Sequence, residues 1–303
     1  MTTLRGCLPV LCTPFDAAGA VDAPAFDAVV DFALACGAHG VVYPGLASEV
    51  GQLAAEERAM LVARLGARLA GRVPFVVGAS AATARETLAR IAEGAAAGAV
   101  AAMVMAPREL GTDADAQIAH FAGLASARLP IMLQNAPAPF GAGLPPAAVA
   151  RIAREVPAIR YVKEETLPSG ANLSRILAEA GDAIEGAFGG AGGRYVTDEL
   201  ARGALGTVPA VEIADVHAAL IQAWDRGDQA EARRLFAASL PLLNMQAVFR
   251  TKLTKEVLRR RGVLAHVRSR HPDPEPDRAD LEELGRWLDH LAPDLAHWET
   301  AAE

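Results

Sequence analysis

Ile159-Arg-Tyr-Val-Lys-Glu-Glu-Thr166 reads as a short buried strand that runs straight into a lysine and two glutamates. Of the 29 basic residues in the chain only three are lysine, at Lys163, Lys252 and Lys255. A chain that meets nearly every basic position with arginine has kept a lysine at the end of a strand. Arginine stays protonated, whereas a desolvated lysine can lose its proton and act as a nucleophilic amine. The stretch taken alone is equally open to a plainer reading, in which Lys163 pairs with Glu164 or Glu165 and does no chemistry.

Seven other apolar runs share the character of this strand: Gly6–Thr13, Gly40–Gly45, Val73–Ser80, Ala101–Ala106, Pro130–Ala136, Ala183–Phe188 and Leu205–Ala210. Near-continuous apolar runs of this length are expected of parallel strands covered on both faces. Helical segments lie between them, at Pro24–Ala35, Ala54–Leu69, Ala82–Ala97, Ala114–Ala127, Pro146–Glu155, Ser174–Ala180, Arg194–Arg202 and Val211–Asp225. Pro24 suits a first helical turn, where its missing N–H costs nothing. Ser80 suits the N-cap of the third helix, and Gly37, Gly71, Gly98, Gly181 and Gly203 suit left-handed C-caps. Eight strand–helix units predict an α/β chain folded as a closed (β/α)8 TIM barrel rather than an open sheet. Leu11-Cys-Thr-Pro-Phe15 after the first strand is no dinucleotide fingerprint. Beyond the eighth unit come amphipathic helices at Gln229–Leu243 and Ala247–Arg261, a Pro-punctuated connector at His271–Pro276 and a last helix at Asp280–Leu291. The expected organisation is a catalytic barrel over 1–226 with a C-terminal helical appendage over 227–303 packed on it. Arg259-Arg-Arg261 reads as a solvated helix face.

Apolar residues make up 52% of the 303 residues and charged ones 21%, which excludes disorder. A net charge of -7 without a basic cluster beside aromatics argues against nucleic acid as a partner. Cys7, Cys12 and Cys36 are odd in number and lack metal-ligand spacing, as expected in a reducing compartment. His39 lies near the N-terminal end of a strand, His120 and His217 fall in helices, and His266, His271, His290 and His297 fall in the appendage. No metal site and no cofactor are expected. With no signal-peptide pattern and no apolar run near the roughly 20 residues of a membrane span, a soluble cytoplasmic protein is expected, without a membrane partner.

In a strand–helix barrel the active site lies at the C-terminal ends of the strands. That rule brings Lys163 to the mouth among polar groups and glycines, and it favours the nucleophile over the idle ion pair. The loop Gly45–Glu49 offers amides and the Ser48 hydroxyl to a carboxylate. The competing reading is a tight turn in which Ser48 or Glu49 braces the next helix, and for Glu49 the brace is preferred.

Gly45-x-x-Ser48-Glu49, the Asn135-x-Pro137 turn, the Lys163 strand and the Gly-rich end of the seventh strand together resemble the dihydrodipicolinate synthase / N-acetylneuraminate lyase family. The resemblance extends from Gly6–Phe15 to the C-terminal helices and includes Leu53-x-x-x-Glu57-Arg58. It implies a (β/α)8 barrel with a helical C-terminal domain, a homotetramer or homodimer, and an imine between the strand-six lysine and a small-molecule 2-oxo acid. The family's Thr-Thr pair is replaced here by Leu46 and Ala47, its tyrosine before the Asn-x-Pro turn by Gln134, and its later tyrosines by Arg108 and Glu109. Synthase activity is therefore not expected. Gln134–Ala138, Ser48-Glu49, Lys163-x-Glu165 and Gly181–Gly186 are similar to the branch that dehydrates 2-keto-3-deoxy sugar acids such as 2-keto-3-deoxyarabonate. On this reading Lys163 forms the imine, and Glu165, two residues on and on the same strand face, is the candidate general base, with a structural ion pair to Lys163 as the alternative. Gln134 is a candidate hydrogen-bonding partner of substrate or water, Ala47 and Ser48 would hold the C1 carboxylate, and Gly186 and Gly189 would allow close approach. Arg108, Glu109, Phe140 and Glu212 are candidates for the distal pocket. Two alternatives stay open: a pyruvate-dependent aldolase, and a non-catalytic 2-oxo-acid-binding protein that has lost the tyrosine relay.

Overall fold

In a computed structural model describing residues 4–296, eight short parallel strands close around one apolar interior. They are β1 (Gly6–Cys7), β2 (Val41–Tyr43), β3 (Phe75–Gly78), β4 (Ala101–Met105), β5 (Ile131–Asn135), β6 (Ile159–Glu164), β7 (Gly186–Gly189) and β8 (Gly206–Thr207). Their order is β1-β8-β7-β6-β5-β4-β3-β2, and Val10 bridges both Val42 and Ala210, which joins β1 to β2 and completes the barrel. Apart from β6, the strands are shorter than the apolar runs that announced them, and β7 ends one residue later than its run. The helices are α1 (Ala23–Ala35), α2 (Ala55–Leu69), α3 (Ala84–Ala96), α4 (Ala114–Ala122), α5 (Pro146–Glu155), α6 (Ser169–Ala180), α7 (Val196–Ala201) and α8 (Ala214–Asp225), followed by α9 (Gln229–Arg260) and α10 (Arg278–Leu291).

Three apolar layers hold these elements. Leu8, Val10, Val42, Val76, Met103, Met132, Tyr161, Phe188 and Val208 fill the barrel. Residues such as Val41, Val77, Leu133 and Val162 point the other way, onto Val30, Leu65, Ile91, Val149 and Ile176 of the surrounding helices. This is why the strands read as continuous apolar runs: both faces are covered. Ile213, Val216 and Leu220 near and on α8 pack with Leu242, Leu253 and Val257 of α9 and with Leu284 and Leu288 of α10. Each such side chain contributes roughly 1.5–3 kcal/mol on burial, so the C-terminal helices are seated firmly on the barrel.

Some local expectations are corrected. Thr83, not Ser80, caps α3, with its hydroxyl accepting from Glu86 N; the Ser80 Oγ instead accepts from Met105 N at 2.8 Å. α9 does not break between Leu243 and Ala247 but at Arg250, whose φ of 49° and ψ of -119° interrupt an otherwise helical run. Arg261 is buried, not solvated. Its guanidinium grips Asp215 with contacts of 2.5 and 3.0 Å, donates to Glu212 O at 2.8 Å and lies over the Phe32 ring. The five C-cap glycines all take positive φ, between 53° and 95°. Among the described residues no helix is long and apolar enough to cross a membrane. His297 lies outside the described residues.

Candidate active site

Along β6 side chains alternate between the two faces of the sheet. Lys163 and Glu165 therefore turn to the barrel mouth while Glu164 turns to the back. Lys163 Nζ sits 3.0 Å from Glu165 Oε1. Gln134 is the register partner of Lys163 on β5, and its Nε2 donates to Glu165 Oε2 at 2.7 Å. The Ala191 N–H, just past β7, donates to Glu165 Oε1 at 3.2 Å. Burial alone would push the Glu165 carboxyl up. The Lys163 charge and the hydrogen bonds from Gln134, Lys163 and Ala191 outweigh it and hold the group below the usual carboxylate range. Glu165 is thus fixed as the carboxylate, the form that accepts a proton, with its amine neighbour in contact.

Glu164 behaves differently although it is the next residue. It is fully buried behind the strand, where it accepts from Asn135 Nδ2 at 2.8 Å, from Thr166 N at 2.6 Å and from the Thr166 hydroxyl. Burial dominates those bonds and pushes its pKa up to about 7. The Asn135 amide also bridges to both backbone groups of Leu144, so this turn anchors the loop beyond β5.

Lys163 and Glu165 line a cavity of about 380 Å³, within the roughly 300–1,000 Å³ usual for small-molecule sites. Val10, Leu46, Ala47 and Met103 form one wall, and Phe140 and Leu167 another. Arg194 and Tyr195, after β7, and Gln246, Arg250 and Thr251, on α9, supply most of the remaining polar lining.

The other sequence candidates divide. Ala47 lines the cavity. Ser48 does not: its Oγ donates to Leu11 O at 2.5 Å and accepts from Gly45 N at 2.9 Å, and its own N–H donates to Gly45 O. The hydroxyl shapes the tight turn, the alternative that the sequence left open. Glu49 is the brace expected of it, but toward α9 rather than the next helix. Lys255 Nζ lies 2.5 Å from Glu49 Oε1, both side chains fully buried, while Glu49 Oε2 accepts from Ser269 Oγ, Arg270 N and His271 N at 2.6–2.7 Å. Gly186 begins β7 at the closed end of the barrel, packed on Leu205. A Cβ on Gly189 would meet Glu199 Oε2 at 1.7 Å, on the helix side of the strand. Gly190 is the glycine that faces the site, since a Cβ there would lie 2.5 Å from Glu165 Cγ. Of the distal candidates only Phe140 lines the cavity. Arg108 and Glu109 are exposed and Glu212 is buried behind, bonded to Thr254 Oγ1 at 3.1 Å. Among the described residues no group of three His, Cys, Asp or Glu side chains could hold a metal.

The cavity-lining residues of α9 had no sequence signal, because they lie on a helix that no strand-end rule inspects. Arg194 and Tyr195 follow the seventh strand end directly and could have been found there.

The model of the Dihydrodipicolinate synthetase family matches residues 3–291. An L-2-keto-3-deoxyarabonate dehydratase of Azospirillum brasilense is 34% identical over 301 residues, covering 97% of each chain. A 4-hydroxy-tetrahydrodipicolinate synthase of Methanoculleus marisnigri is 28% identical over 291 residues, covering 94% of this chain and 98% of that one. Among solved structures, that of YagE, a prophage protein from E. coli in complex with pyruvate, superposes with a TM-score of 0.87 at 25% identity, covering 96% of this chain and 99% of that one.

Proposed function

The chain belongs to the dihydrodipicolinate synthetase family of lyases, and on that premise we propose that it forms an imine between Lys163 and a 2-oxo acid and dehydrates a 2-keto-3-deoxy sugar acid. The observation that carries the reading is the Lys163–Glu165 pair at 3.0 Å in the cavity wall. Two relatives support it: a dehydratase of that substrate class, and a structure with pyruvate bound.

Glu165 takes a proton from the Lys163 ammonium across the 3.0 Å contact. The free amine attacks C2 of the substrate, and Glu165 returns its proton to the C2 oxygen, which departs as water and leaves an iminium beside the restored Glu165 carboxylate. Glu165, held by Gln134 and Ala191, then removes a C3 proton and an enamine forms. The enamine expels the C4 hydroxyl, which leaves as water with the proton carried by Glu165. Hydrolysis frees the amine, and the net change is loss of one water. Ala47 faces the C1 carboxylate in this scheme, and Gln134 orients the base.

Borohydride reduction with pyruvate tests the imine: a mass adduct at Lys163 is expected, and an adduct only at Lys252 or Lys255 sinks the proposal. With sugar acids, pyruvate plus an aldehyde identifies an aldolase, and a semialdehyde identifies the dehydratase. Trapping without any turnover identifies a binding protein. The homotetramer or homodimer implied by the family stays part of the proposal, tested by light scattering.

A further inference from the structure

Lys163 and Glu165 account for the imine chemistry, but the cavity carries two more charged side chains that this chemistry leaves unused. Its lining contains three basic groups, Lys163, Arg194 and Arg250, against one acidic group, Glu165. Arg194 makes no ion pair among the described residues. Its nearest acceptors are Leu243 O at 3.4 Å and Gln246 Oε1 at 3.5 Å, both too long to satisfy a guanidinium. Arg250 sits at the break in α9, in a positive-φ conformation that non-glycine residues rarely adopt. Its guanidinium lies 4.5 Å from the centre of the Phe140 ring. The Asp273 carboxylate approaches it only to 3.7 Å, and that carboxylate is already engaged by Thr251 and His271.

A part-buried guanidinium without a carboxylate or phosphate is unfavourable unless a ligand supplies one, and arginine presents the donor fork that matches such a group. Counted over the lining, a 2-oxo acid with a single carboxylate balances only one of the two excess positive charges, and Asp273, outside the lining, reaches Arg250 only at 3.7 Å. We infer that Arg194 and Arg250 bind a second anionic group at the far end of the substrate, so that the preferred 2-oxo-3-deoxy acid ends in a carboxylate or a phosphate rather than a neutral hydroxymethyl. This rests on the imine reading above and specifies the substrate class of the same site.

The experiment compares 2-oxo-3-deoxy acids of equal chain length ending in hydroxymethyl, carboxylate or phosphate ester. Borohydride trapping at Lys163 is scored first with each, and kcat/KM is then measured. No adduct with any of them removes the imine reading itself. With adducts present, the expected result is a preference of at least tenfold for an anionic end, and the two anionic arms identify which group is bound. Arg194→Gln and Arg250→Gln should each reduce that preference at least tenfold, through KM, and Arg250→Lys should restore part of it. The preference is a ratio within one variant, so partial loss of folded protein cancels. The inference is overturned if the hydroxymethyl acid is used as well as the anionic ones, or if neither glutamine variant moves the ratio.

Discussion

The buried Glu49–Lys255 pair makes a sharp claim about what holds the mouth of the barrel together. Lys255→Met keeps the length of the side chain and removes the charge. It leaves Glu49 fully buried with no cation in contact and deletes the 2.7 Å bond from Lys255 Nζ to Arg268 O. Removing one partner of a buried pair costs roughly 3–5 kcal/mol. Glu49 keeps the hydrogen bonds from Ser269, Arg270 and His271, so the lower end, about 3 kcal/mol, is expected. Urea unfolding followed by circular dichroism reads this as a midpoint lowered by roughly 1 M, for a slope of about 3 kcal/mol/M. Glu49→Gln with Lys255→Met leaves no uncompensated charge and should recover at least about 1 kcal/mol relative to the single variant. A single-variant loss below about 1 kcal/mol, or a double variant no more stable than Lys255→Met, would refute the account. The pair also ties the loop carrying Ala47 to α9, so the KM of a 2-oxo acid should rise in Lys255→Met alongside the stability loss.

Three further outcomes follow from the geometry. Glu165→Gln should slow dehydration about 10²–10⁴-fold while pyruvate can still be trapped on Lys163; unchanged turnover removes Glu165 as the base. Gly190→Ala places a methyl 2.5 Å from Glu165 Cγ, whereas Gly189→Ala places one 1.7 Å from Glu199 Oε2. Turnover should therefore fall chiefly in the first and the unfolding midpoint chiefly in the second, and equal effects on both readouts in both variants contradict the assignment of faces. Burial pushes the Glu212 carboxyl from 4.5 to about 7. The folded state then binds the proton more tightly, so the stabilisation is fully present below about pH 4.5 and is lost as pH rises through 7. Glu212→Gln should be near neutral at pH 4 and more stable than the parent by about 3 kcal/mol at pH 8; a difference that does not change with pH excludes ionisation as the cause.

What was legible in the chain is what a strand-and-helix period can carry. The eight apolar runs placed Lys163 and Glu165 on one face of one strand, because two residues apart along a strand means the same side. The misses arise where one residue of register, or one turn of helix, decides. β7 runs to Gly189 and not to Phe188; Phe188 points into the barrel, so by alternation Gly189 turns to the helices and the next position back to the barrel. So Gly190, not Gly189, is packed against Glu165. Three consecutive arginines on a helix point about 100° apart, so Arg259–Arg261 could not share one solvated face, and Arg261 turned inward to Asp215. Ser48 had its own turn to satisfy: the Gly45 N–H needed an acceptor and the nearest hydroxyl supplied it.

The residues that had no signal at all, Gln246, Arg250 and Thr251, sit on a helix more than 80 positions from Lys163 in the chain and reach the cavity only because α9 packs across the barrel. This separation has a consequence for how likeness to relatives is read. On the proposed mechanism, the groups that make and use the imine are fixed by strand ends, which every barrel of this kind must align for the sheet to close. The groups that meet the far end of the substrate come from the β7–α7 loop and from α9, where a change of side chain leaves the sheet intact. Identity of 34% over the whole chain therefore carries the reaction class much further than the substrate. Arg194 and Arg250, and not Lys163, are the positions at which two family members with the same chemistry are expected to part.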